Sequence, residues 1–132
     1  MCLYITSEKI KRLKNKVVDG KITCYKMFQI NGNGLYTPYY RMYMTPGWNK
    51  AIGETLGGYE YYKDDKAYNT IEGGAIHVFT NYKEAKKEAL SMGCKLIKVT
   101  CLAKDFIAEG TESEACFTKI WISKSEYDRV TK

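Results

Sequence analysis

The single histidine of this 132-residue chain, His77, is the side chain best suited to acid–base chemistry near neutral pH. As the base of a hydrolase it would need a serine or cysteine nucleophile beside it and a third group to orient it. The chain has no G-x-S-x-G motif, and no pattern in the sequence indicates a cysteine whose thiol is activated by a nearby cation or a helix N-terminus. We therefore predict no catalytic residue of this kind and interpret His77 as satisfied within its own strand.

Two glutamates, Glu112 and Glu114, are the remaining candidates for acid–base chemistry. They follow Glu109 in the loop before the last predicted strand. Acidic residues in a loop are mostly solvent-exposed, and we expect these to be solvated. A catalytic role for Glu112 or Glu114 depends on a resemblance described below.

The sequence lacks motifs for a metal or a nucleotide cofactor. Its five cysteines are odd in number and include no C-x-x-C pair, whereas a structural zinc site needs four Cys or His ligands at short spacing. The glycines at 32 and 34 lack the third glycine of a dinucleotide fingerprint, and there is no phosphate-binding G-x-x-x-x-G-K-[ST]. We predict no metal, no cofactor and buried free thiols.

Aromatic residues offer a different kind of chemistry, namely recognition. Twelve tyrosines are many for this length, and most of them lie between residues 36 and 68. Tyrosine presents a large flat contact area with a polar tip, suited to stacking on a base or to packing against a protein. The predicted contact surface consists of Tyr36, Tyr39, Tyr40, Arg41, Tyr43, Trp48, Tyr59, Tyr61 and Tyr62. The alternative is a set of half-buried strand tyrosines with their hydroxyls at the rim.

Positive charge is concentrated near the N-terminus. The first 26 residues hold seven Lys or Arg against two acids, in a chain whose net charge is +6. The predicted basic patch is Lys9, Lys11, Arg12, Lys14 and Lys16. Such a patch attracts anionic partners, including nucleic acid, although a solvated lysine-rich helix or loop is the alternative. Residues 36–68 carry four cations and four anions, which disfavours a non-specific nucleic-acid groove there.

Two helices are predicted. The spacing of Ile10, Leu13 and Val17 predicts a short helix over residues 8–15. A stronger pattern predicts the main helix over residues 81–92. Asn81 and Glu84 have the spacing of a capping box, and Gly93 stands where a glycine ends helices. Ser123 and Glu126 have the same cap spacing, which indicates a terminal helical turn over residues 123–130.

Strands are predicted where β-branched, aromatic and apolar residues alternate between turn signals. The predicted strands cover residues 22–30, 35–44, 57–62, 75–79, 95–102, 105–108 and 115–122. This arrangement predicts an α+β fold: a curved, mainly antiparallel sheet of five to seven strands, with helix 81–92 packed on it and the short N-terminal helix. We expect one domain over residues 1–132, with a basic segment 1–20 and an α+β core 21–132. No membrane-spanning run or signal peptide is recognisable, so we expect a cytoplasmic protein without membrane partners.

The order of several short motifs resembles small proteins of unassigned function from gut bacteria and their phages. The motifs are Tyr25-Lys26, Thr37-Pro38-Tyr39-Tyr40, Gly74-Ala75-Ile76-His77-Val78-Phe79 with Ala85, and Ile120-Trp121-Ile122. That group implies no reaction; its genomic setting implies phage or mobile-element cargo, and some such small basic proteins inhibit host defence.

A second resemblance is to the ADP-ribosyltransferase-like fold. In that family a strand ending in Ser or Thr precedes a helix with alanine, and a late glutamate activates the ribose. Residues 74–80 with Ala85 are similar to the first part, and Glu112 or Glu114 stands for the glutamate. The first strand lacks an Arg or His that would hold the NAD cofactor, which is a departure from the pattern.

The leading hypothesis is therefore a non-enzymatic binding protein that inhibits a host component, with a host protein as partner and the tyrosine-rich region as contact surface. An NAD-dependent transferase and a small-nucleotide-binding, sequestering protein are the alternatives.

Overall fold

The computed structural model describes residues 3–32, 34–38, 42–53, 56–57, 60–63, 65–110 and 113–132. These residues form fourteen strands and two α-helices. The strands are β1 (Leu3–Ser7), β2 (Lys21–Asn31), β3 (Gly34–Tyr36), β4 (Tyr43–Met44), β5 (Gly47–Lys50), β6 (Leu56–Gly57), β7 (Tyr61–Lys63), β8 (Lys66–Tyr68), β9 (Thr70–Gly73), β10 (Ile76–Phe79), β11 (Lys95–Leu102), β12 (Phe106–Gly110), β13 (Glu114–Phe117) and β14 (Lys119–Ile122). The helices are α1 (Tyr82–Met92) and α2 (Lys124–Thr131).

The strands build an antiparallel sheet in which neighbours in space are mostly distant in the chain. Its order is β5-β14-β11-β2-β10-β13-β12-β1-β9-β6, with β3 and β4 added at the far half of β2. A separate hairpin pairs β7 with β8. The longest ladder joins β2 to β11 over eight register pairs, from Lys95–Phe28 to Leu102–Lys21. The fold is therefore α+β and mainly antiparallel, as predicted.

The predicted number of strands, five to seven, is wrong. The described chain has fourteen, because several strands of two to four residues are too short to show an alternating pattern. β1 is absent from the predicted strands for a different reason, since its apolar residues adjoin the lysine-rich segment whose spacing predicts a helix. It lies between β12 and β9, so it is an interior strand of the sheet.

The predicted N-terminal helix over residues 8–15 is also wrong. This segment is a loop that contains one 3-10 turn, Lys14–Lys16. Leu13 is buried in the main core, as the pattern required. However, the backbone N–H groups around it donate to a distant carboxylate instead of forming helical bonds.

The main helix α1 is present as predicted. The Asn81 side chain accepts a hydrogen bond from the Glu84 N–H, and Gly93 ends the helix in the left-handed conformation with φ of 67°. Ala85 and Ala89 pack on Met27 and Phe79 of the sheet. The second helix, α2, extends the predicted C-terminal turn and is capped by Ser123 through the Glu126 N–H.

Strand alternation places the main core on one side of β2, β11 and β14. Ile22, Cys24 and Phe28 of β2 face this core together with Ile97, Val99 and Cys101 of β11. Ile120 and Ile122 of β14 complete this wall. The residues between them point to the opposite face of the sheet, where the candidate site lies. Neither of the two described helices is long and apolar enough to span a membrane.

Candidate functional site

A row of two tryptophans and two threonines crosses four strands on the face opposite the main core. In register, Trp48 of β5 lies opposite Trp121 of β14, which lies opposite Thr100 of β11, which lies opposite Thr23 of β2. The two indole rings contact each other edge-to-face at 5.3 Å between centroids. They nevertheless remain 43% and 40% exposed, although large aromatic side chains usually bury most of their surface.

Lysines flank this row on the same face. On one side of the row, two residues away on their own strands, lie Lys50 of β5, Lys119 of β14 and Lys21 of β2. On the other side of the row, also two residues away, lies Lys98 of β11. The Lys119 ammonium lies 4.8 Å from the Trp48 ring centroid, a cation–π contact. We refer to Trp48, Trp121, Thr100, Thr23 and the four lysines 21, 50, 98 and 119 as the Trp–Lys face.

Two acids among the described residues contact the lysines of this face. Asp105 lies 3.9 Å from the Lys119 ammonium. Glu126 accepts a hydrogen bond from the Lys98 N–H, but its carboxylate is also bound by Arg129 at 2.7 Å. The four lysines and Arg129, taken with these two acids, leave three positive charges in excess.

The Trp–Lys face was only partly predictable. Trp48 belongs to the predicted contact surface, whereas Trp121 and Lys119 are predicted only as residues of the strand 115–122. Their signal was present, because Lys119 and Trp121 alternate with the buried Ile120 and Ile122. What was missing was the register that sets Trp121 beside Trp48, 73 positions earlier in the chain.

The other predicted aromatic residues fall into separate places. Tyr36 and Tyr43 contact each other at 5.3 Å, and the Tyr43 hydroxyl lies 3.5 Å from that of Tyr127. This hydrogen bond raises the pKa of Tyr127 to about 12. Tyr62 lies exposed on the β7–β8 hairpin. Tyr39, Tyr40, Arg41 and Tyr59 lie outside the described residues, as does the side chain of Tyr61. Whether the tyrosines share one contact surface stays a prediction.

The basic N-terminal segment is fixed by a carboxylate. The N–H groups of Lys11, Arg12 and Leu13 donate to the two oxygens of Glu109 at 2.7, 3.1 and 3.1 Å. Glu109 is 2% exposed, so burial raises its pKa, but these three bonds and the Arg12 charge outweigh burial and lower it. We refer to these three hydrogen bonds to Glu109 as the clasp. The side chains of the predicted basic patch are exposed around it: Lys9, Lys11, Arg12, Lys14 and Lys16.

A pocket of about 110 Å³ lies where this segment meets the start of α1. Its lining includes Arg12, Lys16, Thr80, Asn81, Glu109 and Glu114. Register opposes Phe79 to Glu114, so the strand and one glutamate of the transferase resemblance are adjacent. The volume, however, is well below the roughly 300–1,000 Å³ of pockets for drug-sized ligands. Glu112 lies outside the described residues.

His77 lies in an apolar setting rather than in a catalytic group. It pairs with Cys116 of β13, and both ring nitrogens are buried with no hydrogen-bond partner among the described residues. The predicted satisfied imidazole is therefore not observed there. Burial and the nearby Lys26 charge lower the pKa of His77 to about 4, so the ring is neutral at pH 7.

Lys26 was not singled out by the sequence, yet it holds an unusual position. β2 and β10 share one register pair, Tyr25 with Phe79. At the next residue the Lys26 ammonium donates to the His77 carbonyl oxygen at 2.7 Å. Burial lowers the pKa of Lys26 to about 8. The Lys26 side chain thus links β2 to β10 beyond the single position at which their backbones pair.

The described cysteines are free thiols on strands or beside a helix end. The side chains of Cys24 and Cys101 form a hydrogen bond in the core, and this bond together with burial raises the pKa of the Cys101 thiol. Burial raises the pKa of Cys116 as well. Over the described part of the chain, no three His, Cys, Asp or Glu side chains are grouped so that they could hold a metal ion.

Comparison of the chain with protein-family models, with curated proteins and with solved structures gave no match. The site must therefore be interpreted from its own geometry.

Proposed function

We propose that this protein acts by binding rather than by catalysis, and that the Trp–Lys face is its contact surface. The observation that carries the proposal is the register row from Trp48 to Thr23 with lysines on both sides. Exposed tryptophans are enriched at the energetic centres of binding surfaces, because they offer a large rigid area with a polar tip.

The chemistry of the other candidate sites favours binding over catalysis. The Glu109 carboxylate accepts hydrogen bonds from three backbone N–H groups, which stabilise its ionised form and leave it a weak base toward a substrate proton. The His77 ring, neutral and enclosed, has no nucleophile activated beside it, since burial raises the pKa of the neighbouring Cys116 thiol. The Trp–Lys face, in contrast, is accessible over four strands.

The sequence-based hypothesis of a phage-encoded inhibitor of a host protein remains a proposal about the setting in which this binding occurs. Its predicted surface overlaps with the Trp–Lys face at Trp48. The structure-based proposal differs by adding three lysines and Trp121 from strands outside residues 36–68.

Site-specific photo-crosslinking in the producing cells tests the proposal. A benzophenone amino acid is incorporated in place of Lys98, on the Trp–Lys face, or in place of Lys14, an exposed residue of the basic N-terminal segment. We expect crosslinked products from position 98 and few from position 14. Equal yields at the two positions, or none at position 98, would contradict the proposal.

A further inference from the structure

We propose that the partner of the Trp–Lys face is single-stranded nucleic acid, with bases stacked on Trp48 and Trp121 and phosphates bound by the flanking lysines. This inference rests on the proposed function, since it names the ligand class of the same surface. A protein partner is the competing outcome of the test.

The first argument is the combination of aromatic faces and cations on an open sheet. Sheet-based RNA readers stack two or three bases on exposed strand aromatics, and stacking tolerates any base because every base has a π-face. Trp48 and Trp121 occupy neighbouring strands and retain 43% and 40% exposure. A protein-binding patch of this kind usually loses charge at its centre and is depleted in lysine, whereas here lysines adjoin the tryptophans.

The second argument is spacing. Neighbouring strands lie about 4.8 Å apart and alternate residues of one strand lie about 6.7 Å apart, so the row from Trp48 to Thr23 is about 14 Å long. This length accommodates two to three nucleotides. Lys50, Lys119 and Lys21 lie one such step to one side of the row, and Lys98 lies one step to the other. A backbone that follows the row thus has a cation within reach along its whole length.

The third argument is that the surface continues beyond the row. Tyr25 lies beside Lys98 in register and contacts Tyr82 of α1 edge-to-face at 5.4 Å. The Lys86 ammonium lies 5.9 Å from the Tyr82 ring centroid. The same pairing of aromatic ring and lysine is therefore repeated at the other end of the face, which extends the site to about four nucleotides, the lower end of the range for sheet-based single-strand binders.

The test uses the full chain and four probes: a 12-nucleotide oligothymidylate, the oligouridylate of the same length, the corresponding duplex, and inorganic polyphosphate. Both tryptophans of the protein lie on the Trp–Lys face, so fluorescence excited selectively in tryptophan, and not in the twelve tyrosines, reports on this surface. We expect at least one single strand to bind with quenching of that fluorescence. The duplex and polyphosphate, which offer no exposed bases, should bind at least tenfold more weakly. The two oligonucleotide arms distinguish DNA from RNA.

Matched variants separate stacking from charge. Trp121→Leu should weaken binding by about 5- to 150-fold, the cost of one lost base stack, whereas Trp121→Phe should retain most of it. Lys98→Gln should reduce the slope of log affinity against log salt by about 0.7, as expected for one lost phosphate contact. Lys14→Gln, the same charge change in the basic N-terminal segment, should leave that slope nearly unchanged. Circular dichroism checks that each variant is folded.

Three results would overturn the inference: no binding of either single strand, polyphosphate binding as tightly as the oligonucleotides, or a salt slope reduced equally by Lys14→Gln and Lys98→Gln. If these occur while position 98 still crosslinks to a protein, the contact surface stands and its ligand class is wrong. If position 98 also gives no crosslink, the proposed function fails as well.

Discussion

The buried carboxylate of Glu109 determines the conformation of residues 11–13 in the N-terminal segment. A segment whose apolar spacing suits a helix is held instead as a loop, because three consecutive N–H groups at residues 11–13 converge on the two oxygens of this side chain. Hydrogen bonds to a charged acceptor are stronger than neutral ones, and a carboxylate that accepts several backbone N–H groups is stabilised in its ionised form. The clasp ties the basic segment to β12.

We predict that Glu109→Gln destabilises the protein by about 2 kcal/mol at pH 7, because the amide is uncharged and turns a donor toward other donors. The pKa of Glu109 is lowered in the folded state from its ordinary value of 4.5. The contribution of the ionised Glu109 carboxylate to the free energy of unfolding is therefore present above pH 4.5 and is lost as the pH falls through the folded-state pKa. Urea unfolding at pH 7 and at pH 3 should show the deficit of the variant shrinking at the lower pH. Glu8→Gln, at an exposed carboxylate of the same segment, is the control; a similar deficit in both variants would contradict the clasp.

Lys26 yields a second pH-dependent prediction, of the same sign but in the alkaline range. Its folded pKa of about 8 lies below the ordinary 10.5, because burial disfavours the charged ammonium. Between these two values the unfolded chain binds more protons than the folded one, so stability should rise with pH across this window. Below pH 8 the charge is carried in both states and the full cost of burying it remains.

The measurement is urea unfolding at pH 7.5 and pH 10 for the wild type and for Lys26→Met, which keeps the length of the side chain and removes the charge. We expect the wild type to gain up to about 3 kcal/mol relative to the variant over this range. The comparison with the variant cancels the titration of tyrosines and cysteines. An identical pH dependence in the two proteins would show that Lys26 is solvated rather than buried.

Among the elements, α2 closes an edge that the sheet leaves open. β14 pairs with β11 at a single position, Thr100 with Trp121, so none of the described strands covers the first half of β11 on that side. There Glu126 accepts a hydrogen bond from the Lys98 N–H at 3.1 Å, and Arg129 donates to the Leu96 carbonyl oxygen at 3.0 Å. An uncovered strand edge is a template for pairing with another chain, and this helix covers it with side chains.

We predict that Glu126→Ala destabilises the protein by about 1–2 kcal/mol, because it removes the hydrogen bond to the Lys98 N–H and the carboxylate that pairs with Arg129. Hydrogen exchange of the Lys98 amide should accelerate more than exchange in the middle of β2. Lys124→Ala is the matched control on the same helix. It removes a surface ion pair to Asp128 at 2.8 Å, which is worth roughly 0.3–0.5 kcal/mol. Equal effects of the two substitutions would mean that α2 does not protect the edge.

The elements also show which parts of the fold the sequence predicts. α1 was predictable to within one residue, since Asn81, Glu84 and Gly93 act locally and their signals lie next to the helix they delimit. The N-terminal segment was not, because the group that shapes it, Glu109, lies 98 positions beyond Lys11. β11 was predictable from its own alternation, whereas two-residue strands such as β4 and β6 exist only through the partner that they pair with.

For the whole molecule, the same reasoning explains why the candidate site was only partly found. The sequence correctly marks residues 36–68 as aromatic, and a count of charges within that segment gives neutrality. The sheet, however, brings Lys21, Lys98 and Lys119 from three other strands onto the face that carries Trp48. The local electrostatic character of a surface depends on pairing between distant strands, which no window of the sequence contains.

Long-range pairing also gives β1 a central role in the molecule. Near the N-terminus of the chain, it lies between β12 and β9, and Leu3 is fully buried with Ile71, Ala108 and Cys116. The packing there is tight, since a Cβ added at Gly110 would lie 2.6 Å from the Leu3 Cδ1 atom. The strands beyond β1, namely β9 and β6, join the main sheet through it.

We therefore predict that Leu3→Ala costs about 2–5 kcal/mol, the usual range for truncating a buried leucine. The loss should be uneven: hydrogen-exchange protection should fall most in β9 and β12, which pair directly with β1, and least in the β2–β11 ladder. Ile97→Ala, in the main core, is the matched control and should lower protection chiefly in β2 and β11. Gly110→Ala should also destabilise alone, but less when combined with Leu3→Ala, because the smaller side chain leaves room for the added methyl. Uniform loss of protection, or strict additivity of the pair, would contradict the role of β1 as the joint between the two parts of the sheet.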